Sequence, residues 1–133
     1  MAARNSPPEP GARLIRLRKR ADFLAAARGV RRVCGAITLE LAPTPDLSHT
    51  TGALRVGFTA SRKIGNAVAR NRAKRRLRAA ASQQLPLLGR TGHDYVLVAR
   101  ASALRCPYAA LLQDLAEAIG AAHRKLDAAK TGA

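Results

Sequence analysis

The sequence predicts an α+β fold, a small α/β sandwich in which one sheet carries packed helices. Three observations predict it. Apolar residues alternate at Ile37, Leu39 and Leu41, and again at Leu54, Val56 and Phe58, which is the two-residue period of a half-buried strand. Residues 95–99 form a short, nearly continuous apolar run, as in a strand buried on both faces. Helical patterns lie between and after these strands, so a helix must connect two strands of one sheet by a crossover.

The elements follow in order. Residues 1–12 hold three prolines and few apolar anchors, and read as a disordered tail without the apolar stretch of a signal peptide. Residues 13–128 read as a single domain and 129–133 as a second tail. A short helix is expected over 19–27, anchored by Phe23 and broken at Gly29. A strand over 33–42, a loop over 43–52 rich in turn-forming residues and a strand over 54–60 suggest a hairpin. Gly65 tolerates positive φ and Asn66 is a favoured N-cap, opening a helix over 67–84 that Pro86 and Gly89 end. After the strand at 95–99, Pro107 suits the first turn of a last helix. Leu111, Leu115, Ala118, Ile119, Ala122 and Leu126 form its apolar stripe. The expected order is helix, strand, strand (with room for another strand), helix, strand, helix, with one helical layer. No repeat or second domain is visible.

Charge narrows the function. The 133 residues carry 24 Lys+Arg against 8 Asp+Glu, a formal net charge of +16. Such self-repulsion opposes compaction and points to a polyanionic partner. Arginine far outnumbers lysine, and its planar fork suits phosphate and can stack on bases. No apolar run approaches the roughly 20 residues of a membrane-spanning helix. Cys34 and Cys106 lack metal-type spacing and read as small buried residues in a reducing cytosol. His49, His93 and His123 lie too far apart in sequence to suggest a metal site.

The charge concentrates in residues 62–78, which hold eight basic residues and no acid. On a helix at about 100° per residue, Ala69, Leu77 and Ala80 fall within about 40° of Ala73, while Asn71, Lys74, Arg75 and Arg78 occupy the far side. Lys74 and Arg78 form a like-charge i,i+4 pair that costs an isolated helix stability, so phosphate binding explains it better than structure does. Gly65 and Asn66 add backbone N–H groups at the helix start, where anions bind.

Lys63, Gly65, Asn66, Ala67, Val68, Arg70, Asn71, Lys74, Arg75 and Arg78 closely resemble the signature of the bacterial ribonuclease P protein family. The likeness extends to residues 16–23, 55–61 and 93–100, and covers roughly 14–126. It implies a fold like the second domain of ribosomal protein S5, with a left-handed βαβ crossover against the usual right-handed one. It implies a protein subunit, monomeric in the holoenzyme and cytoplasmic, that assists a catalytic RNA in removing the 5′ leader of precursor tRNA. The chemistry would be carried by the RNA and by Mg²⁺ bound mainly to it, with no catalytic and no metal-binding residue in the protein. Gly65, Asn66, Arg70, Asn71, Lys74, Arg75 and Arg78 would contact the catalytic RNA. Phe23, Arg62, Lys63 and Arg16 would contact the leader, in a cleft between the sheet and the first helix. Family members carry more aromatic residues in that cleft than the Ala25, Ala26, Ala27, Thr38 and Glu40 found here.

Three other classes fit parts of the pattern. A ribosomal or other structural RNA binder shares the charge and fold class. A DNA-binding module could use Asn71 and Arg75 to read bases, though strands rather than a helix precede that helix. A protein-only nuclease would need folding to assemble Asp22, Glu40 and Asp94.

Overall fold

The computed structural model describes residues 13–45 and 52–130. The expected tail over 1–12 lies outside the described residues, as do 131–133. The elements are β1 (Arg13–Arg16), α1 (Arg20–Ala27), β2 (Val30–Cys34), β3 (Ile37–Pro43), β4 (Ala53–Ala60), α2 (Ala67–Leu88), β5 (His93–Ala99) and α3 (Tyr108–Lys130). Single 3-10 turns at Arg62–Ile64 and Ala101–Leu104 lead out of β4 and β5.

The five strands form one mixed sheet in the order β1-β4-β5-β3-β2. β5 takes the centre. It pairs antiparallel with β3, placing Leu39 opposite Leu97, and parallel with β4, placing Phe58 opposite Leu97. Its continuous apolar run explains this, because a strand covered on both faces belongs in the middle. The β4-α2-β5 connection is the expected crossover between neighbouring parallel strands.

Several expectations need correction. The strand expected over 33–42 is two strands, β2 and β3, joined at Gly35 with φ 53°. The hairpin is therefore β2–β3. β3 and β4 do not pair, because β5 lies between them. The expected loop shortens to residues 44–52, of which 46–51 lie outside the described residues; it is too long for a tight turn, which leaves β4 free to join the far side of β5. β1 was not expected. It has only two adjacent apolar residues, Leu14 and Ile15, and exists by parallel pairing with β4. Both edge strands carry exposed arginines, Arg13 and Arg16 on β1, Arg31 and Arg32 on β2, which discourage another strand from adding there.

α2 runs past Pro86 to Leu88. The ring removes one helical N–H, but Gly89 N–H closes the last turn on Leu85 O at 2.8 Å. α3 also runs past the expected boundary, so Ala129 and Lys130, both good helix formers, are helical. Cys34 and Cys106 are free thiols and half-buried rather than buried.

The helices occupy both faces, not one layer. Ala73, Leu77, Ala80, Ala81 and Leu85 of α2 join the α3 stripe of Leu111, Leu115, Ala118, Ile119, Ala122 and Leu126. Together they cover Ile37, Leu39, Leu41, Leu54, Val56, Tyr95 and Leu97 of the sheet. Side chains alternate along β5, so Val96 and Val98 point the other way. There they meet Leu17, Phe23 and Ala26 in a second, small cluster under α1. No helix among the described residues is long and apolar enough to cross a membrane.

Candidate nucleic-acid interface

The turn before α2 is tightly specified. Ser61 Oγ accepts from Lys63 N–H at 3.1 Å. Gly65 adopts φ 142°, a conformation that side-chain-bearing residues rarely take. Asn66 caps the helix, its Oδ1 accepting from Ala69 N–H at 2.9 Å. Gly65 N–H is not free, as expected from sequence, but donates back to Arg62 O at 3.3 Å. Arg70 Nη1 donates to Gly65 O at 2.7 Å. Arg70 thus braces the turn, with its remaining donors available. Val68, an apolar residue of the same motif, stands 71% exposed beside it.

Beyond the turn, Asn71, Arg75 and Arg78 are exposed and Lys74 is half-buried, so α2 presents the expected cationic face. Arg72, missed from sequence, belongs to it. Arg72, Arg75, Arg76, Ala79 and Tyr108 line a depression of about 470 Å³ toward α3. Arg76 is structural: Nη1 and Nη2 donate to the carbonyls of Ala103 at 2.6 Å and Cys106 at 2.7 Å. At the other margin, the Arg78 guanidinium lies 5.9 Å from the centre of the Phe58 ring and that of Arg16 5.4 Å from it, within cation–π range.

The second site is a cleft of about 490 Å³ on the α1 side of the sheet, lined by Arg18, Arg20, Phe23, Glu40, Phe58, Thr59, Val96 and Val98. Phe58, opposite Leu97, belongs to the core beneath α2 and also borders this cleft, so the margin of the basic helix and the cleft meet at its position on β4. Phe23 serves two ends. It packs so closely on the sheet that a Cβ on Gly57 would come within 2.6 Å of its ring, and its remaining surface lines the cleft. The arginines at the cleft are Arg18 and Arg20 rather than Arg16, which turns to Phe58. Lys63 lines a different depression, with Arg105 and Cys106. Arg62 is exposed in the turn before α2.

The acids on this side are mostly committed. Arg55 donates to both oxygens of Asp94, Nε at 2.8 Å and Nη2 at 2.6 Å, and reaches Asp22 Oδ2 at 3.4 Å. Thr44 Oγ1 adds a bond to Asp94 Oδ1 at 2.7 Å. This network ties α1 to β4 and β5. It also removes Asp22 and Asp94 from the nuclease cluster considered above, and no group of three metal-ligating side chains forms among the described residues. Glu40 stands apart. Burial raises its pKa, and the Arg31 charge partly offsets that.

A cationic helix face bordering a cleft with an apolar floor and an arginine rim defines a class: a small α+β protein whose exposed charge suits a polyanionic partner. The comparisons narrow it. The Ribonuclease P family description matches residues 12–123. The chain is 52% identical over 115 residues to the ribonuclease P protein component of Ruegeria pomeroyi, covering 86% of this chain and 87% of the relative. It is 49% identical over 110 residues to that of Paramagnetospirillum magneticum, covering 81% and 82%. The fold is similar to that of the Staphylococcus aureus RNase P protein, with TM-score 0.65 at 24% identity over 80% of this chain and 94% of that one. The Thermotoga maritima RNase P protein gives TM-score 0.63 at 23% identity over 77% and 92%. The chain belongs to the ribonuclease P protein family.

Proposed function

We propose that this chain is the RNA-binding protein subunit of a ribonuclease P. It docks the exposed face of α2 on the catalytic RNA and holds the 5′ leader of precursor tRNA in the cleft under α1. The observation that carries the reading is the junction at Phe58, where the helix face and the cleft meet. One polyanion bound on α2 and a second lying in the cleft would be neighbours. On α2, Asn71, Arg72, Lys74, Arg75 and Arg78 neutralise phosphates, while Arg70 and Gly65 hold the turn that Asn66 caps. In the cleft, Arg18 and Arg20 meet the leader backbone and Phe23 offers a ring edge to a base.

Cleavage itself belongs to the RNA and to Mg²⁺ held mainly by the RNA. The protein lowers the electrostatic cost of bringing two RNAs together, so its effect is greatest where Mg²⁺ is scarce. The arginine-bearing sheet edges support a monomer, and the reading places it in the cytoplasm with its RNA.

The test is cleavage of a precursor tRNA by a bacterial catalytic RNA at near-physiological Mg²⁺, with and without this protein. The protein alone is inert, and it restores cleavage when the RNA is present. Combined Arg72→Ala, Arg75→Ala and Arg78→Ala lowers RNA affinity and reduces the slope of log affinity against log salt by about 2–3, at roughly 0.7–0.9 per phosphate contact. Cleavage by the protein without RNA overturns the assignment of chemistry. RNA binding without stimulation favours a structural RNA binder.

A further inference from the structure

We propose that Glu40 is a specificity-determining residue, which reads the Watson–Crick edge of a leader base seated in the cleft and selects guanine. The proposal rests on the leader-binding reading above.

The open face of the sheet is a small grid. Thr38, Val98 and Thr59 form one row across β3, β5 and β4, and Glu40, Val96 and Gly57 form the next. Phe23 covers Gly57. The floor beside Glu40 is therefore apolar and aromatic, suited to the flat face of a base. Of the three acids on this face, Asp22 and Asp94 are neutralised by Arg55. Among the described residues, no hydrogen bond or ion pair holds Glu40. Arg31 is its cross-strand neighbour on β2 and does not close on it. Arg18 and Arg20 line the same cleft and do not close on it either.

A half-buried carboxylate that no cation closes on, its burial only partly offset by the Arg31 charge, repels phosphate and so works against the cleft's charge unless it meets a donor. Bases supply such donors in unpaired RNA, whose edges are accessible. A carboxylate only accepts, through two oxygens. Guanine presents two parallel donors, N1–H and the N2 amino group, which match those oxygens. Adenine and cytosine present one amino donor beside an acceptor nitrogen, and uracil one N–H between two carbonyls. The second oxygen is repelled in each of these.

The test uses the holoenzyme: catalytic RNA with this protein, at low Mg²⁺. Precursor tRNAs carry each of the four bases at each leader position, and kcat/KM is compared with that of the RNA alone. At one leader position the protein favours guanine roughly tenfold, within the range a bidentate base contact gives. Glu40→Gln, with one acceptor and one donor, moves the preference toward adenine. Glu40→Ala abolishes it by lowering kcat/KM for guanine-bearing leaders to the level of the other three bases, because the two acceptor oxygens are gone. A protein-dependent gain that varies with leader length yet is equal for all four bases overturns the role of Glu40 and leaves the leader cleft standing. So does a guanine preference that survives both substitutions. A gain independent of leader length overturns the cleft reading and this inference with it.

Discussion

The two faces of the sheet are held together by different physics. On the α2/α3 face, long helices bury a continuous layer of Leu, Ile, Val and Ala against β3, β4 and β5. On the α1 face, an eight-residue helix is held by one ring on a glycine, a small apolar cluster and the Arg55 network. A domain this size needs one large core, and one face supplies it. The other face is then free to stay partly open, with charge where a core would have put leucine.

Three substitutions test this division, in decreasing order of expected effect. Arg55→Met leaves Asp94, only 1% exposed, buried without its counter-charge. Breaking a buried pair from one side costs about 3–5 kcal/mol, read as a fall in denaturation midpoint. Leu115→Ala opens a cavity in the large core and costs about 2–5 kcal/mol. Its cleavage-stimulating activity per folded molecule is unchanged, since α3 does not line the cleft. If Leu115→Ala instead alters leader dependence while stability holds, the faces are not separable as described. Gly57→Ala sharpens the contrast. The added methyl collides with Phe23, and overpacking of this kind costs about 1–3 kcal/mol. Its larger effect is on leader affinity, because the cleft wall moves while the opposite core is untouched.

The same division explains what could be read from sequence. The α3 stripe and the α2 residues Ala73, Leu77 and Ala80 are buried as expected, because a core face repeats at a fixed period. The α1 face has no such signal. Phe23 on Gly57, or Asp94 on Arg55, depends on partners tens of residues apart. β1 exists only through pairing with β4. On α2 the charge pattern concealed two structural arginines. Projection at about 100° per residue puts Arg70 and Arg76 each about 60° from Ala73, on the packed side. That angle already separates them from Arg75 and Arg78, although all four look alike as basic residues. It places Arg72 at the border of the exposed arc, where the structure finds it. The left-out cleft arginines, Arg18 and Arg20, could not be told from Arg16 without knowing that β1 ends at Arg16 and the chain then crosses the open face.

The capping residue offers a smaller test. Asn66→Ala removes the bond to Ala69 N–H and costs about 1 kcal/mol. The loss falls on the first turn of α2, so RNA affinity drops further than global stability, measured by binding at fixed salt beside a denaturation curve.

The smallest effect probes how the large-core face anchors the end of α3. Tyr95, central in the sheet, sends its hydroxyl to the end of α3. The hydroxyl accepts from Arg90 N–H at 2.8 Å and lies 2.7 Å from His123 Nε2. Arg90 in turn grips both oxygens of Asp127 on α3. Burial, then the charges of Arg90 and His93, lower the His123 pKa from 6.5 to about 4, with Asp127 opposing. A neutral imidazole can accept the Tyr95 proton through Nε2. Burial also pushes the Tyr95 hydroxyl up to about 12, which keeps that proton in place at neutral pH. Between pH 6.5 and 4 the unfolded chain binds a proton at this histidine and the folded chain does not. Stability therefore declines as pH falls through that window. Carboxylates add their own losses at the acid end, so the comparison is with His123→Gln, which cannot titrate. The variant's stability is flatter from pH 6.5 to 5, where few carboxylates contribute. Equal slopes for both proteins would mean that His123 takes up its proton as readily in the fold as in the unfolded chain, which overturns its role as a neutral acceptor for Tyr95.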